Sequence, residues 1–174
     1  MDLEAPADGW YVFFGVAVVS VAMGGIALGF PTTAPPDANR AANAVDRAAG
    51  SELNATASYD HDAAFFWLDG KQIALRNEGG TTHESIAFGT MTPAWHDDDL
   101  EAILYGEDPG DVFPTDACRR LESRAETERA WVRGEVTGDD PWFAASDEVR
   151  VRSLYCTYVD GGSREEVHVT LVDV

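Results

Sequence analysis

The stretch from Trp10 to Phe30 contains no charged side chain, although the whole chain has 31 acidic and 12 basic residues. As a helix that rises roughly 1.5 Å per residue, residues 10–30 would measure roughly 30 Å, which is about the thickness of a bilayer's hydrocarbon core. A single segment can satisfy its own backbone groups there only as a helix. The stretch therefore predicts a transmembrane helix that follows a short leader at residues 1–9.

The flanks of this stretch favour an anchor that is not cleaved. A signal peptide would begin with basic residues and would carry a shorter apolar run before its cleavage site. The leader has no lysine or arginine, and the one suitable small-residue site, near Thr32 to Ala34, lies beside Pro35 and Pro36. A buried helix is disfavoured because a small domain could hardly surround residues 10–30 on every side. We therefore expect a signal anchor that crosses the cell membrane once.

Small residues recur at intervals of four within the same stretch. Gly25 and Gly29 form a G-x-x-x-G pair, and Ser20 and Gly24 extend the small-residue stripe towards the N-terminus. Such residues let two helices approach closely inside a membrane. The pattern predicts a packing notch for a partner helix or a second copy, although an ordinary apolar helix would also contain glycine.

Evidence on the orientation of the domain is divided. Arg40 and Arg47 follow the apolar stretch, and the positive-inside rule would place them in the cytoplasm. In the opposite direction, Asn54-Ala55-Thr56 is a glycosylation sequon, and Cys118 and Cys156 could form one disulfide. Because the short leader is simple to retain inside, we predict that the C-terminal domain is extracellular.

The charge of the chain indicates its habitat and excludes some partners. The net charge is −19, the sequence pI is near 4.3, and the 12 basic residues include a single lysine, Lys71. Hydrated carboxylates keep a protein soluble when concentrated salt screens ordinary charge repulsion, so this composition is typical of a halophile and favours an archaeal source. The same charge repels nucleic acid, which we exclude as a partner.

Residues 31–50 are predicted to form a proline-rich spacer and a stalk helix. Pro31, Pro35 and Pro36 end the apolar helix and stiffen the segment after it. Asp37 is a suitable N-cap and Gly50 a suitable terminator, which together predict a helix over residues 38–49. Its apolar stripe consists mainly of alanine, so the helix is expected either to pack loosely on the domain or to serve as a stalk.

The remaining residues, 51–174, are predicted to form a soluble acidic α+β domain that is mainly antiparallel. Residues 65–76 contain an Asp-Gly turn between β-rich runs, which predicts a hairpin, and residues 82–89 would add a third strand. A second hairpin is expected at residues 148–174, around the turn at Asp160-Gly161-Gly162. Between the hairpins, residues 99–105 and 116–130 are predicted to be a helical insertion, followed by a short strand at Trp131 to Val136.

Candidate chemistry is sparse in this sequence. His61, His83 and His96 each stand next to carboxylates, but none has the spacing of a zinc or calcium site. No nucleophile elbow is present, and Cys118 and Cys156 are better explained as a disulfide than as a reactive thiol with a distant histidine. We therefore predict no catalytic, metal or cofactor residue. The competing hypothesis is an enzyme or ligand-binding module that uses these histidines in one pocket.

Three segments carry a resemblance to a known family. These are the WYVFFG start of the apolar stretch, the PPD after it, and RNEGGTTHESIAFGTMTP at residues 76–93. In them the chain resembles an uncharacterised family of haloarchaeal single-pass membrane proteins, of the kind found among genes for pilus-like and archaellum-like surface machinery. More loosely, a helix followed by a β-rich domain is similar to archaellum accessory proteins and type IV pilins.

The resemblance implies an assembly component and not a filament subunit. No basic cleavage motif precedes the apolar stretch, and the prolines at positions 31, 35 and 36 would interrupt the continuous helix of a pilin. We therefore expect a non-enzymatic accessory component of a pilus-like or cell-envelope complex. Its partners would be the membrane and other membrane or cell-surface proteins.

Overall fold

The computed structural model describes residues 7–28, 33–135 and 142–174. These residues fall into two compact units, Met1–Thr33 and Ala34–Val174. In the first unit the described element is helix α1, Ala7–Leu28. Its apolar side chains, Trp10 and Phe13 among them, are exposed.

No helix within the described residues is long and apolar enough to cross a membrane. The prediction of a single-pass transmembrane helix at residues 10–30 is therefore wrong for this part of the chain, and with it the signal anchor.

The second unit is an α+β domain, as predicted, and it is built on two four-stranded sheets. Its helices are α2 (Ala38–Ala49), α3 (Asp98–Leu104), α4 (Pro109–Val112) and α5 (Ala117–Glu135). Its strands are β1 (Ala55–Asp60), β2 (Phe65–Leu68), β3 (Gln72–Asn77), β4 (Gly80–Ser85), β5 (Met91–Pro93), β6 (Phe143–Ala144), β7 (Glu148–Asp160) and β8 (Ser163–Asp173).

The strand order is β1-β7-β8-β5 in the first sheet and β4-β3-β2-β6 in the second. Both predicted hairpins form, as β2–β3 and as the long β7–β8 pair. The first sheet is mixed because β5 runs parallel to β8, which the mainly antiparallel prediction did not include. β5 has only three residues, too few for a periodicity that sequence reasoning can detect.

Helix α2 lies in the core of the domain. Asp37 caps it, since its carboxylate accepts from the Arg40 N–H at 3.1 Å. Ala41, Val45 and Ala48 are fully buried against both sheets. Small alanine side chains let the helix approach the strands closely, which turns its thin apolar stripe into a tight contact. The compact unit accordingly begins at Ala34 and includes this helix, which is not a separate stalk.

The first sheet separates two hydrophobic clusters. One lies between the sheets and contains α2, the inward side chains of β2 and β3, and Val172 of β8. The other lies on the opposite side of the first sheet, where α3 and α5 cover Leu154 of β7 and Leu171 of β8. Adjacent residues such as Leu171 and Val172 enter different clusters because strand side chains alternate.

Residues 131–135 continue helix α5, so the prediction of a strand at Trp131 to Val136 is wrong over its described part. The helix extends because Val132 remains on its buried side, 1% exposed, beyond the last turn that the prediction included. Phe143–Ala144 supplies the short strand instead, at the edge of the second sheet.

Candidate functional site

The histidines do not come together in one pocket. His61 follows β1, where its Nδ1 accepts from the Ala63 N–H at 3.2 Å and its Nε2 is buried without a hydrogen-bond partner. Burial lowers the pKa of His61 below its ordinary value of 6.5, although Asp62, Asp147 and Asp60 oppose the shift. The neutral ring is therefore favoured in the folded chain.

His96 lies beside α5 instead. Its ring stacks on Trp131 with centroids 4.2 Å apart, and its Nδ1 lies 3.5 Å from Glu128 Oε2. His168 bonds to Ser153 Oγ at 2.6 Å, but Ser153 is 1% exposed and is therefore inaccessible as a nucleophile. Within the described chain, no group of three or more potential metal ligands occurs.

His83 belongs to a different arrangement, on the outer face of the second sheet. In β2, Phe66 and Leu68 point into the core, so Phe65 and Trp67 point outward. The register places Phe65 opposite Arg76 on β3. We call the outward group of Phe65, Trp67, Arg76, His83 and Trp142 the aromatic face.

The members of the aromatic face are in contact across three strands. The ring centroid of His83 lies 6.3 Å from that of Trp67 and 6.4 Å from that of Trp142, both in edge arrangements. The guanidinium carbon of Arg76 lies 4.3 Å from the centroid of Trp142 and 5.0 Å from that of Phe65. These contacts cover Ala74, which is fully buried although it belongs to the outward side of β3. Phe65 itself is 43% exposed.

Arg76 differs from the two other arginines that stack on aromatic rings in the described residues. Arg119 lies over Tyr158 and pairs with Asp160 at 3.0 Å. Arg150 lies over Tyr105 and pairs with Glu148 at 2.5 Å.

No comparable pair forms at Arg76, since no described carboxylate lies within ion-pair distance of its guanidinium. Stacking fixes the plane of this group and leaves its N–H fork available. The geometry suits a carboxylate that comes from outside the described chain.

The other predicted site residues occupy separate places. Cys118 and Cys156 form a disulfide with an S–S distance of 2.09 Å, which joins α5 to β7. Asn54 precedes β1, and its Oδ1 accepts from the Tyr155 N–H at 2.7 Å. Glycosylation at Asn54 stays a prediction.

The predicted packing notch lies partly within α1. At Gly24 and Gly25 an added Cβ would meet nothing within 4 Å. Ser20 lies on the same helix and is exposed, whereas Gly29 lies outside the described residues, as does Pro31. Helix packing at these positions stays a prediction.

Sequence reasoning identified His83 but missed the four residues around it. The predicted β2–β3 hairpin already contained the necessary signal, because alternation must send either Phe65 and Trp67 or Phe66 and Leu68 outward. Either choice leaves large apolar side chains on the second face of an antiparallel sheet. Trp142 could not be assigned in this way, since its place follows from the pairing of β6 with β2.

Comparison with known proteins identifies the chain at the level of its family. Residues 4–154 match the profile of DUF7283, described as a family of unknown function. Comparisons with curated proteins and with solved structures find no match. Because the matched region covers most of the chain, the protein belongs to the DUF7283 family.

Proposed function

We propose that this protein is a non-enzymatic binding module whose aromatic face contacts another protein. The observation that carries the proposal is Arg76, a guanidinium held between Phe65 and Trp142 on an exposed sheet face, without a described carboxylate partner. Tryptophan and arginine are the residue types that most often dominate the energy of protein interfaces.

The shape of the aromatic face favours a protein over a small molecule. Small-molecule sites are concave and enclose most of their ligand. The aromatic face is instead the outer surface of a sheet, with Phe65 and His83 exposed. A partner protein could place apolar side chains against Trp67 and Trp142 while a carboxylate binds the fork of Arg76.

The chemistry expected of the partner follows from this arrangement. Its contact surface should present an aspartate or glutamate next to apolar or aromatic side chains. A partner with a basic contact surface would repel Arg76, even though the chain as a whole has a net charge of −19. The local charge of the face, and not the global charge, should therefore set the specificity.

The disulfide supports a location outside the cytoplasm. Bonds such as Cys118–Cys156 form and persist mainly in oxidising compartments. Together with the resemblance to haloarchaeal proteins encoded near surface machinery, this supports a role as an accessory component of a pilus-like or cell-envelope assembly. The proposed partner is accordingly another component of that assembly.

Site-specific crosslinking in intact cells tests the proposal. A photoreactive phenylalanine analogue is placed at Phe65 in the full chain, and in a second variant at Phe88, an exposed phenylalanine beside Gly50. We expect irradiation to yield one adduct with an envelope or pilus component from position 65, at least about tenfold more than from position 88. No adduct, equal adducts from both positions, or an adduct with a cytoplasmic protein would overturn the proposal.

A further inference from the structure

The loop at residues 61–64 carries the chain from β1 in the first sheet to β2 in the second. Its last residue is bonded to both neighbours of β2. The Ala64 N–H donates to the Arg76 carbonyl of β3 at 2.8 Å, and the Ala64 carbonyl accepts from the Ala145 N–H, directly after β6, at 3.0 Å. The conformation of the 61–64 loop therefore affects how β2 is held between β3 and β6.

The side chain of His61 fixes the turn within this loop. Its Nδ1 accepts from the Ala63 N–H at 3.2 Å, and Ala63 is buried in the hydrophobic cluster between the sheets. A ring nitrogen that accepts carries no proton, so the proton of the neutral ring belongs to Nε2. Nε2 is buried and has no hydrogen-bond partner among the described residues. The neutral ring is thus held by one hydrogen bond, while its own donor remains unsatisfied.

A protonated His61 ring is incompatible with this arrangement. The second proton would occupy Nδ1, because an imidazolium has two donors and no acceptor. The Ala63 N–H would then face another N–H, and the charge would lie in a site where Nε2 has no described partner. Three exposed carboxylates act on the ring, namely Asp62 of the loop itself, Asp147 before β7 and Asp60 at the end of β1. They would attract an imidazolium outward, away from Ala63.

The pKa of His61 sets the pH at which the ring becomes charged. Burial lowers this pKa below 6.5, and the attraction of the three carboxylates only partly offsets that shift. The ring is therefore mainly neutral near pH 7 and gains its proton as the pH falls through the lowered pKa. A modest fall in pH consequently changes the hydrogen bonding within the 61–64 loop.

The 61–64 loop ends at the aromatic face. Phe65 follows Ala64 directly and is paired with Arg76. The guanidinium of Arg76 stacks on Phe65 and Trp142, and Trp142 lies just before Ala145 in the chain. The two backbone bonds of Ala64 therefore hold together the segments that carry Arg76 and Trp142. Loss of these bonds would separate the guanidinium from the rings that orient it.

We propose that protonation of His61 releases the 61–64 loop and thereby weakens partner binding at the aromatic face, so that the partner is held near neutral pH and released in acid. The neutral ring favours the ordered loop through its bond to Ala63. The imidazolium favours a loop in which the ring faces solvent and the three carboxylates. Proton binding sets the populations of these two states. The inference rests on the function proposed for the aromatic face.

Amide hydrogen exchange tests the loop without a partner. Protection factors, which are corrected for the intrinsic effect of pH on exchange, are measured for Ala63 and Ala64 in the full chain at about pH 7.5 and about pH 5. We expect both factors to fall at least about threefold at the lower pH, because the closed loop binds the proton less readily than the open one. Val151, in the centre of the first sheet, should remain better protected than the loop, which shows that the domain is still folded.

Two substitutions at position 61 imitate the two states of the loop. His61→Asn keeps an acceptor for the Ala63 N–H, since asparagine bonds to the backbone two residues on, but it does not titrate. His61→Ala removes the acceptor. We expect the loop of His61→Asn to be equally protected at both pH values and that of His61→Ala to be poorly protected at both. If His61→Ala fails to fold, the comparison of His61→Asn with the native chain decides the question.

Crosslinking from position 65 then measures the effect on the partner. The adduct yield at about pH 5 should be at least about threefold below that at about pH 7.5 in the native chain and similar at both in His61→Asn. Loop protection that is independent of pH in the native chain, or an equal fall of protection or yield in His61→Asn, would overturn the inference. No adduct at either pH would overturn the proposed function and its regulation together. Exchange that still responded to His61 would then show that the fault lay in the function and not in the loop.

Discussion

The two faces of strand β2 each carry a phenylalanine, but the two side chains have different surroundings. Phe66 is 2% exposed and packs in the core, where its ring meets Trp95 with centroids 4.8 Å apart. Phe65, its neighbour, is 43% exposed and lies against Arg76 on the outside of the sheet. The two residues are neighbours in the sequence, but strand alternation sends one side chain into the core, where it stabilises the fold, and the other to the surface, where a partner can reach it.

This difference shows how large apolar residues on an outer sheet face can be recognised as a functional surface. An inner position is explained by burial alone. An outer position such as Trp67 is not, because burial there is partial and polar side chains such as His83 and Arg76 are interleaved with the rings. If the comparison is right, substitutions on the inner face should lower stability, whereas substitutions on the outer face should lower binding.

Replacement of Phe66 and, separately, of Phe65 by alanine tests whether the inner face stabilises the fold and the outer face does not. This pair should show the largest difference in stability. Phe66→Ala should lower the free energy of unfolding by about 3–5 kcal/mol, because it leaves a cavity in the core. Phe65→Ala should lower it by less than about 1 kcal/mol, because the ring lies on the surface, is 43% exposed and leaves no enclosed cavity. Denaturant unfolding of both variants measures the difference, and similar losses at the two positions would contradict the assignment of the faces.

Removal of the disulfide should lower the free energy of unfolding by nearly as much as Phe66→Ala. The bond lies at the first sheet, since it joins α5 to β7. The bond joins residues separated by 38 positions, and chain entropy assigns a loop of that size about 4 kcal/mol. The double variant Cys118→Ala, Cys156→Ala should therefore unfold at much lower denaturant concentration. Crosslinking from position 65 should persist under conditions in which the variant is still folded. Its loss there would show that the aromatic face depends on the first sheet.

A smaller effect is expected from pH, and it comes from the half-buried ring of His61. Burial lowers the pKa of His61 below 6.5 in the folded chain, so the unfolded chain binds the proton more readily. Stability is then fully present above about pH 6.5 and falls as the pH drops towards the folded pKa, by at most about 1.4 kcal/mol per pH unit for one proton.

The test variant is His61→Asn, which can still accept from the Ala63 N–H. Unfolding free energies between about pH 5 and 7.5 should show a flatter profile for His61→Asn than for the native chain. This range lies above the ordinary pKa of carboxyl groups, which reduces their contribution. The same slope in His61→Asn as in the native chain would show that another group titrates.

Much of the domain could be predicted from local signals, whereas the site could not. The Asp-Gly turn predicted the β2–β3 hairpin, and Asp37 and Gly50 predicted the ends of α2. Whether α2 was a stalk or a core helix depended on the two sheets around it, which no local pattern specifies. The aromatic face likewise depends on β6 pairing with β2, which brings Trp142 to residues far away in the sequence.

The apolar stretch at residues 10–30 illustrates the opposite problem. Its composition favoured one interpretation strongly, but no helix within the described residues is long and apolar enough to cross a membrane.

The most direct test of the central claim compares Arg76 with Arg119 in the crosslinking experiment. Both arginines stack on an aromatic ring, but Arg119 already pairs with Asp160. With the photoreactive residue at position 65, Arg76→Ala should reduce the partner adduct at least about tenfold while the domain remains folded, and Arg119→Ala should leave the adduct unchanged. An adduct that survives Arg76→Ala at the native yield would contradict the claim that the aromatic face binds its partner through this guanidinium.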